Sequence, residues 1–233
     1  MHRFFAKIED GNVVFSPEEA AHMKVLRIKN GELIAALTDE GEYTLLVRDI
    51  IAGDFSILEK KEVKGVTVAV TLYQAYPKSD KMEDILKHGV ELGVKHFRPF
   101  ISKRCVKRPE DNLERLNKVL KGAVKQCGRG DMPDIAHIMS INEVADSIKK
   151  HDLAFVCYEG EKTASIKNIL KEHAFARDIG IIIGPEGGFE EAEIKLFCEN
   201  GARCVTLGKR ILRTQTASLA AICAIMYEKG EMG

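Results

Sequence analysis

The chain lacks any C-x-x-C pair, any apolar run long enough to cross a bilayer, and any net charge, since 35 basic residues balance 35 acidic ones over 233 positions. Each absence removes a class of protein. The six cysteines, at 105, 127, 157, 198, 204 and 223, do not pair with histidines at zinc spacing, so reduced thiols are expected and a metal site is not. The histidines at 2, 22, 96, 137, 151 and 173 form no helical ligand pair either, and His88 is expected on a helix surface without a role. Met1-His2-Arg3-Phe4-Phe5 lacks the apolar core of a secretion signal, which with the short apolar runs points to a cytoplasmic protein. Neither G-x-G-x-x-G nor G-x-x-x-x-G-K-[ST] occurs, which removes the common dinucleotide and phosphate loops. No internal repeat or low-complexity tract is present. A chain of this length holds one large or two small domains and buries a full core without a staple.

What is present is a strand that ends in glycines. Ile181-Ile182-Ile183 runs into Gly184-Pro185-Glu186-Gly187-Gly188-Phe189, and Glu190, Glu191 and Glu193 then open a helix. Such a turn offers main-chain N–H groups to a ligand at close range. Three carboxylates at the helix start disfavour a phosphate there. A ligand read by neutral backbone groups and carrying positive charge suits the turn better.

Two regimes of periodicity surround it. Short alternating runs over 32–38, 43–50 and 54–59, broken by Asn30-Gly31, Glu40-Gly41 and Ala52-Gly53, predict a small β-barrel. One helix interrupts it, capped by Ser16, opened by Pro17 and ending on the basic face of Lys24, Arg27 and Lys29. Beyond Gly65, strands over 66–73, 96–101, 153–158, 179–183 and 203–207 alternate with helices over 79–92, 111–125 and 190–200. That order predicts a parallel α/β sheet with ligands at the carboxyl ends of its strands. The last helix carries no charge from Ala217 to Tyr227, which predicts burial on every side, by the core or equally by a second subunit.

Zero net charge hides an asymmetry. From Lys95 to Arg129 eleven basic residues stand against three acidic ones. The run is a solvated face or a phosphate footprint. Ser102-Lys103-Arg104-Cys105-Val106-Lys107-Arg108-Pro109 follows a strand end, where loops carry function, and this favours the footprint.

Five segments together carry a resemblance: the turn Ile183 to Phe189; Leu207-Gly208-Lys209-Arg210-Ile211-Leu212-Arg213-Thr214; Met82-Glu83 with Glu91-Leu92-Gly93-Val94; Val25-Leu26-Arg27 before Gly31; and Gln126-Cys127-Gly128-Arg129 with Pro133. In this order they resemble the 16S ribosomal RNA (uracil-N3)-methyltransferase family of the SPOUT superfamily, along nearly the whole chain. The resemblance implies an α/β protein: a small N-terminal PUA-like β-barrel over 1–66, binding RNA, and a C-terminal SPOUT α/β domain over 67–233. The end of that domain threads a loop into a trefoil knot, an exception to the rule that connections do not knot. It implies S-adenosyl-L-methionine bent against three loops: Tyr158 and Glu159; Ile183, Gly184, Glu186, Gly187 and Gly188; and Leu207, Gly208, Ile211, Leu212, Thr214 and Thr216. A homodimer acting on 16S rRNA of the small ribosomal subunit, at uridine 1498, is also implied. RNA contacts are expected from Arg3, Arg27, Lys103, Arg104, Lys107, Arg108 and Arg129.

Methylating uracil N3 requires loss of the imino proton, so a cation near O2 or O4 would stabilise the base anion. Arg213 is the first candidate and Arg210 the second, with phosphate binding or loop support as the other role for each. Glu186 stands as a base, as a contact to the methionine amine, or as a cap of its own turn. Family members usually show R-T-E-T where this chain has Arg213-Thr214-Gln215-Thr216, and a glutamine cannot act as a base. The family glutamate is then structural, or this chain handles the proton differently. Two alternatives stand beside this reading: another SPOUT RNA methyltransferase, acting on a ribose 2′-O or a different base atom, and a non-catalytic RNA-binding factor of ribosome assembly.

Overall fold

A computed structural model describes residues 1–62, 65–78, 81–106 and 113–232, and the chain's contacts divide it into two units, 1–65 with 121–132 and 66–120 with 133–233. In the N-terminal unit β1 (His2–Glu9), β2 (Asn12–Phe15), β3 (Leu33–Thr38), β4 (Gly41–Asp49) and β5 (Asp54–Lys61) form one sheet in the order β2-β1-β3-β4-β5. Only β1 and β3 pair in parallel. The sheet curls around Phe4, Ile34, Ala36, Tyr43, Leu45 and Val47, and its edge strands meet through Phe15 and Phe55, whose ring centroids lie 5.0 Å apart. Closure is therefore by side chains. Helix α1 (Pro17–Val25) starts as its sequence predicts, with Ser16 Oγ accepting from Glu19 N at 3.2 Å and Pro17 in the first turn.

The second unit is a six-stranded, wholly parallel sheet. Its strands are β6 (Ala69–Ala75), β7 (His96–Phe100), β8 (Asp134–Ile135), β9 (Leu153–Cys157), β10 (Asp178–Ile183) and β11 (Arg203–Val205), ordered β11-β9-β10-β6-β7-β8. Parallel strands covered on both faces read as continuous apolar runs, which is why β10 shows no alternation. Helices α2 (Lys81–Glu91), α5 (Ile166–Glu172) and α7 (Thr214–Glu228) pack together on one face, and α4 (Ile141–Ile148) with α6 (Glu191–Glu199) on the other. Helix α3 (Leu113–Cys127) begins in this unit, while its residues from Lys121 onward group with the N-terminal unit. The expected helix starts at 79 and 111 lie outside the described residues.

After β11, at one edge of the sheet, the chain returns to its centre, where α7 packs on β10 and β6. On the way it is tied to the segment after β9 by Thr206 N donating to Ala164 O at 2.8 Å. Complete burial of the last helix is not what the structure shows. Thr214, Ser218, Ala221, Ile222, Ile225 and Met226 are buried, whereas Leu219, Ala220, Cys223 and Ala224 are half-buried and Tyr227 is exposed. An uncharged helix reports that water is unwelcome on a face, not that this chain covers it. No helix among the described residues is long and apolar enough to cross a membrane.

Candidate active site

Because β9, β10 and β11 are parallel neighbours, the segments that follow them leave the sheet at the same edge. The glycine turn after β10 is anchored at its far end by Phe189, which is buried, stacks on Phe100 with centroids 6.3 Å apart, and meets Phe197 edge-on. Its exit is held by Glu193, a buried carboxylate that accepts from Glu190 N and from Lys103 N, both at 2.9 Å. Gly188 has φ 68°, the left-handed region that favours glycine, and a Cβ there would run into the Glu159 carboxylate. A Cβ on Gly187 would lie 3.1 Å from Arg104 Cβ.

A buried polar network clasps the near end of the turn. Thr214 Oγ1 donates to the Gly184 carbonyl at 2.7 Å and accepts from Gln74 Nε2 at 3.0 Å, and Ser218 donates to Gln74 Oε1 at 2.5 Å. Gln74 is thereby satisfied, its second amide hydrogen going to Ala75 O at 2.9 Å. β6, the glycine turn and the start of α7 are joined through three side chains, of which only Thr214 had a role in the sequence reading. The signal for the other two was there: a glutamine inside the apolar run Val70 to Ala75, and a serine in an uncharged helix.

Between the loops lies a cavity of about 610 Å³. The main chain of 184–188 forms one wall, Ile183, Ile211, Leu212 and Ala217 give it apolar surface, and Lys78, Lys81, Glu159, Glu186 and Arg213 supply its charges. Glu186 is not a free carboxylate: Lys81 Nζ donates to Oε1 at 2.7 Å and Lys78 N reaches the same oxygen at 3.2 Å. Burial raises its pKa, but the hydrogen bond from Lys81, with backbone donors and the lysine charge, carries it below the ordinary carboxylate value. A carboxylate so held is a poor proton acceptor and a good brace for its turn. Burial pushes the Cys157 thiol up, so this lining residue is inert as a nucleophile.

The expected site residues fall into distinct places. Ile183, Gly184, Gly187, Gly188, Glu159, Ile211, Leu212, Arg213 and Thr214 line the main cavity, while Tyr158, Leu207, Gly208 and Arg210 line a smaller adjoining one of about 100 Å³. Thr216 is exposed on α7 and lines neither. Lys103 pairs with Glu190 at 2.9 Å, and Arg104 donates to Gly187 O at 3.1 Å, so this basic loop braces the turn. Arg3 is engaged by Glu42 at 2.9 Å and by the Gln126 carbonyl at 3.2 Å, and Arg129 is paired with Asp131 at 2.7 Å. Their guanidinium groups are taken up by internal contacts, which a linear reading of charge does not reveal. Arg27 is exposed, with φ 56°. Lys107 and Arg108 lie outside the described residues. Gln215 Oε1 is buried and has no hydrogen-bond partner among the described residues.

The parallel sheet and its three-loop cavity define an RNA methyltransferase of the SPOUT type, and residues 65–226 match the family model described as an RNA methyltransferase domain. Ribosomal RNA small subunit methyltransferase E of Bacillus subtilis is 30% identical over 98% of this chain and 97% of its own. A solved ribosomal RNA small subunit methyltransferase E from Neisseria gonorrhoeae, bound to S-adenosyl methionine, superposes with a TM-score of 0.77 at 30% identity, covering 97% of each chain. A Legionella pneumophila methyltransferase in complex with the same cofactor gives a TM-score of 0.84 at 26% identity, again over 97% of each. The chain belongs to the ribosomal RNA small subunit methyltransferase E family.

Proposed function

We propose that the protein transfers a methyl group from S-adenosylmethionine to N3 of a uracil, at uridine 1498, in 16S rRNA of the small ribosomal subunit, and that it works as a homodimer. The cavity at the ends of β9, β10 and β11 carries this reading. Its volume suits a cofactor-sized ligand, its backbone wall can read an adenine, and the Glu159 carboxylate complements a cation without competing phosphate groups. The two solved relatives that hold S-adenosylmethionine support the same assignment. When bound, that cofactor supplies the methyl carbon as an electrophile on sulfur.

The protein's own groups do the rest. The clasp of Gln74, Thr214 and Ser218 fixes the turn, and alignment of reacting atoms is worth roughly 7–11 kcal/mol. Arg213, exposed at the cavity and free of any carboxylate partner among the described residues, stabilises the uracil anion at O2 or O4. N3 bonds to the methyl carbon as the carbon–sulfur bond breaks with its electron pair on sulfur, and the imino proton leaves to solvent. Since N3 is on the Watson–Crick edge, the base reacts unpaired. Arg27 is an exposed cation suited to a backbone phosphate, Lys103 and Arg104 are exposed and would exchange their contacts to Glu190 and Gly187 for phosphates, and the half-buried apolar side of α7 supports the dimer.

Reverse transcription of 16S rRNA tests the reaction. An N3-methyluracil halts the polymerase, so one stop is expected to vanish in cells lacking this protein and return with its gene. A stop that persists refutes the assignment.

A further inference from the structure

Among the described residues the charges lining the main cavity do not cancel: three cations, Lys78, Lys81 and Arg213, stand against two carboxylates, Glu159 and Glu186. Lys81 is neutralised by Glu186 at 2.7 Å. Glu159 lies against Gly188 in the turn, on the side proposed to hold the methyl donor. Lys78 and Arg213 make no ion pair with any described residue. The backbone of Lys78 is nevertheless fixed, because its N–H donates to both oxygens of Glu186 at 3.2 and 3.3 Å. A held backbone whose ammonium has no ion-pair partner among the described residues brings that cation to the pocket. Arg210, the second candidate from sequence, lines the smaller cavity instead.

We propose that Lys78 is a catalytic residue that contacts a carbonyl oxygen of the target uracil and, with Arg213, lowers the pKa of its N3–H; this rests on the methyl-transfer reading above. A bound sulfonium adds positive charge to the cavity, which further favours a base entering as its anion. Two cations on the ring oxygens supply by electrostatics what a general base would supply by proton transfer. That removes the need for a carboxylate acceptor, which neither Glu186, held by Lys81, nor Gln215, an amide, provides. Glu186 is then the positioning residue that sets Lys78 and Lys81 together.

The test measures single-turnover methyl transfer to small subunits lacking the modification, from pH 6.5 to 9, for the wild type, Lys78→Met and Lys78→Arg, with S-adenosylmethionine affinity measured by calorimetry. Lys78→Met is expected to slow transfer about 10²-fold at neutral pH. Its deficit should shrink as the pH rises, because the uracil then ionises unaided. Lys78→Arg should restore most of the rate, and cofactor affinity should stay within about threefold in both variants. A Lys78→Met rate within threefold of the wild type, or a deficit that is the same at every pH, overturns the proposal. If the wild type itself transfers no methyl group to uracil N3, the proposed function fails instead.

Discussion

Thr214→Val removes one oxygen from the clasp while keeping the side chain's shape, and its cost can be worked from the contacts. Thr214 is 5% exposed and Gln74 is 2% exposed, so water cannot easily replace the lost hydroxyl. One amide hydrogen of Gln74 loses its acceptor, at about 1–3 kcal/mol for an unsatisfied buried group, and the half-buried Gly184 carbonyl loses a donor, at about 0.5–1.5 kcal/mol. The sum is about 1.5–4.5 kcal/mol. For a chain of this size each kcal/mol moves the thermal midpoint by roughly 2–4 °C, so a fall of roughly 3–18 °C is expected by calorimetry. Since Gly184 forms the wall of the cavity, affinity for S-adenosylmethionine should fall with it. Thr214→Ser, which keeps the hydroxyl, should lose only about 1 kcal/mol. A valine variant that melts within 1 °C of the wild type and binds the cofactor normally would show that the clasp holds nothing.

Two further perturbations probe the same loops. Gly188→Ala forces a side chain into a left-handed conformation at φ 68° and against Glu159, so a loss of about 1–2 kcal/mol and at least a tenfold weaker cofactor complex are expected by titration calorimetry. Normal binding would remove the turn from the site. Glu161, just beyond the loop after β9, accepts from the N–H groups of Ala164 and Thr163 and from the Thr163 hydroxyl, which hold its pKa at about 2 instead of the ordinary 4.5. A lowered folded-state pKa means the stabilisation is complete above pH 4.5 and disappears as the pH falls toward 2. The gap in thermal midpoint between the wild type and Glu161→Gln should therefore close across that window; a pH-independent gap would refute the linkage.

Much of this was legible in the residues because it is local chemistry. β10 betrays itself by Ile181-Ile182-Ile183, the turn by its glycines, and α1 by Ser16 and Pro17. β1 escapes such reading because its burial, one fully buried position in eight, follows no period of two. α4 and α5 leave only a faint mark in the sequence, a capping box of Ser140 with Glu143 and an N-cap at Ser165, since both helices are short. The interrupted N-terminal unit has no sequence mark at all, because the helical pattern of α3 runs unbroken across the point where its contacts change unit.

By itself the sequence determined the α/β class, the position of the glycine turn and, through motif order, the family. These depend on spacing along the chain, and spacing is what a sequence records. Only the tertiary structure decided which charges cancel. Lys81 and Glu186 stand 105 residues apart yet their charged atoms are 2.7 Å apart, while Arg3 and Arg129, free cations on paper, are matched. Coulomb energy falls with distance in space, so the pairing that leaves Lys78 and Arg213 without a carboxylate partner among the described residues exists only once the loops have met.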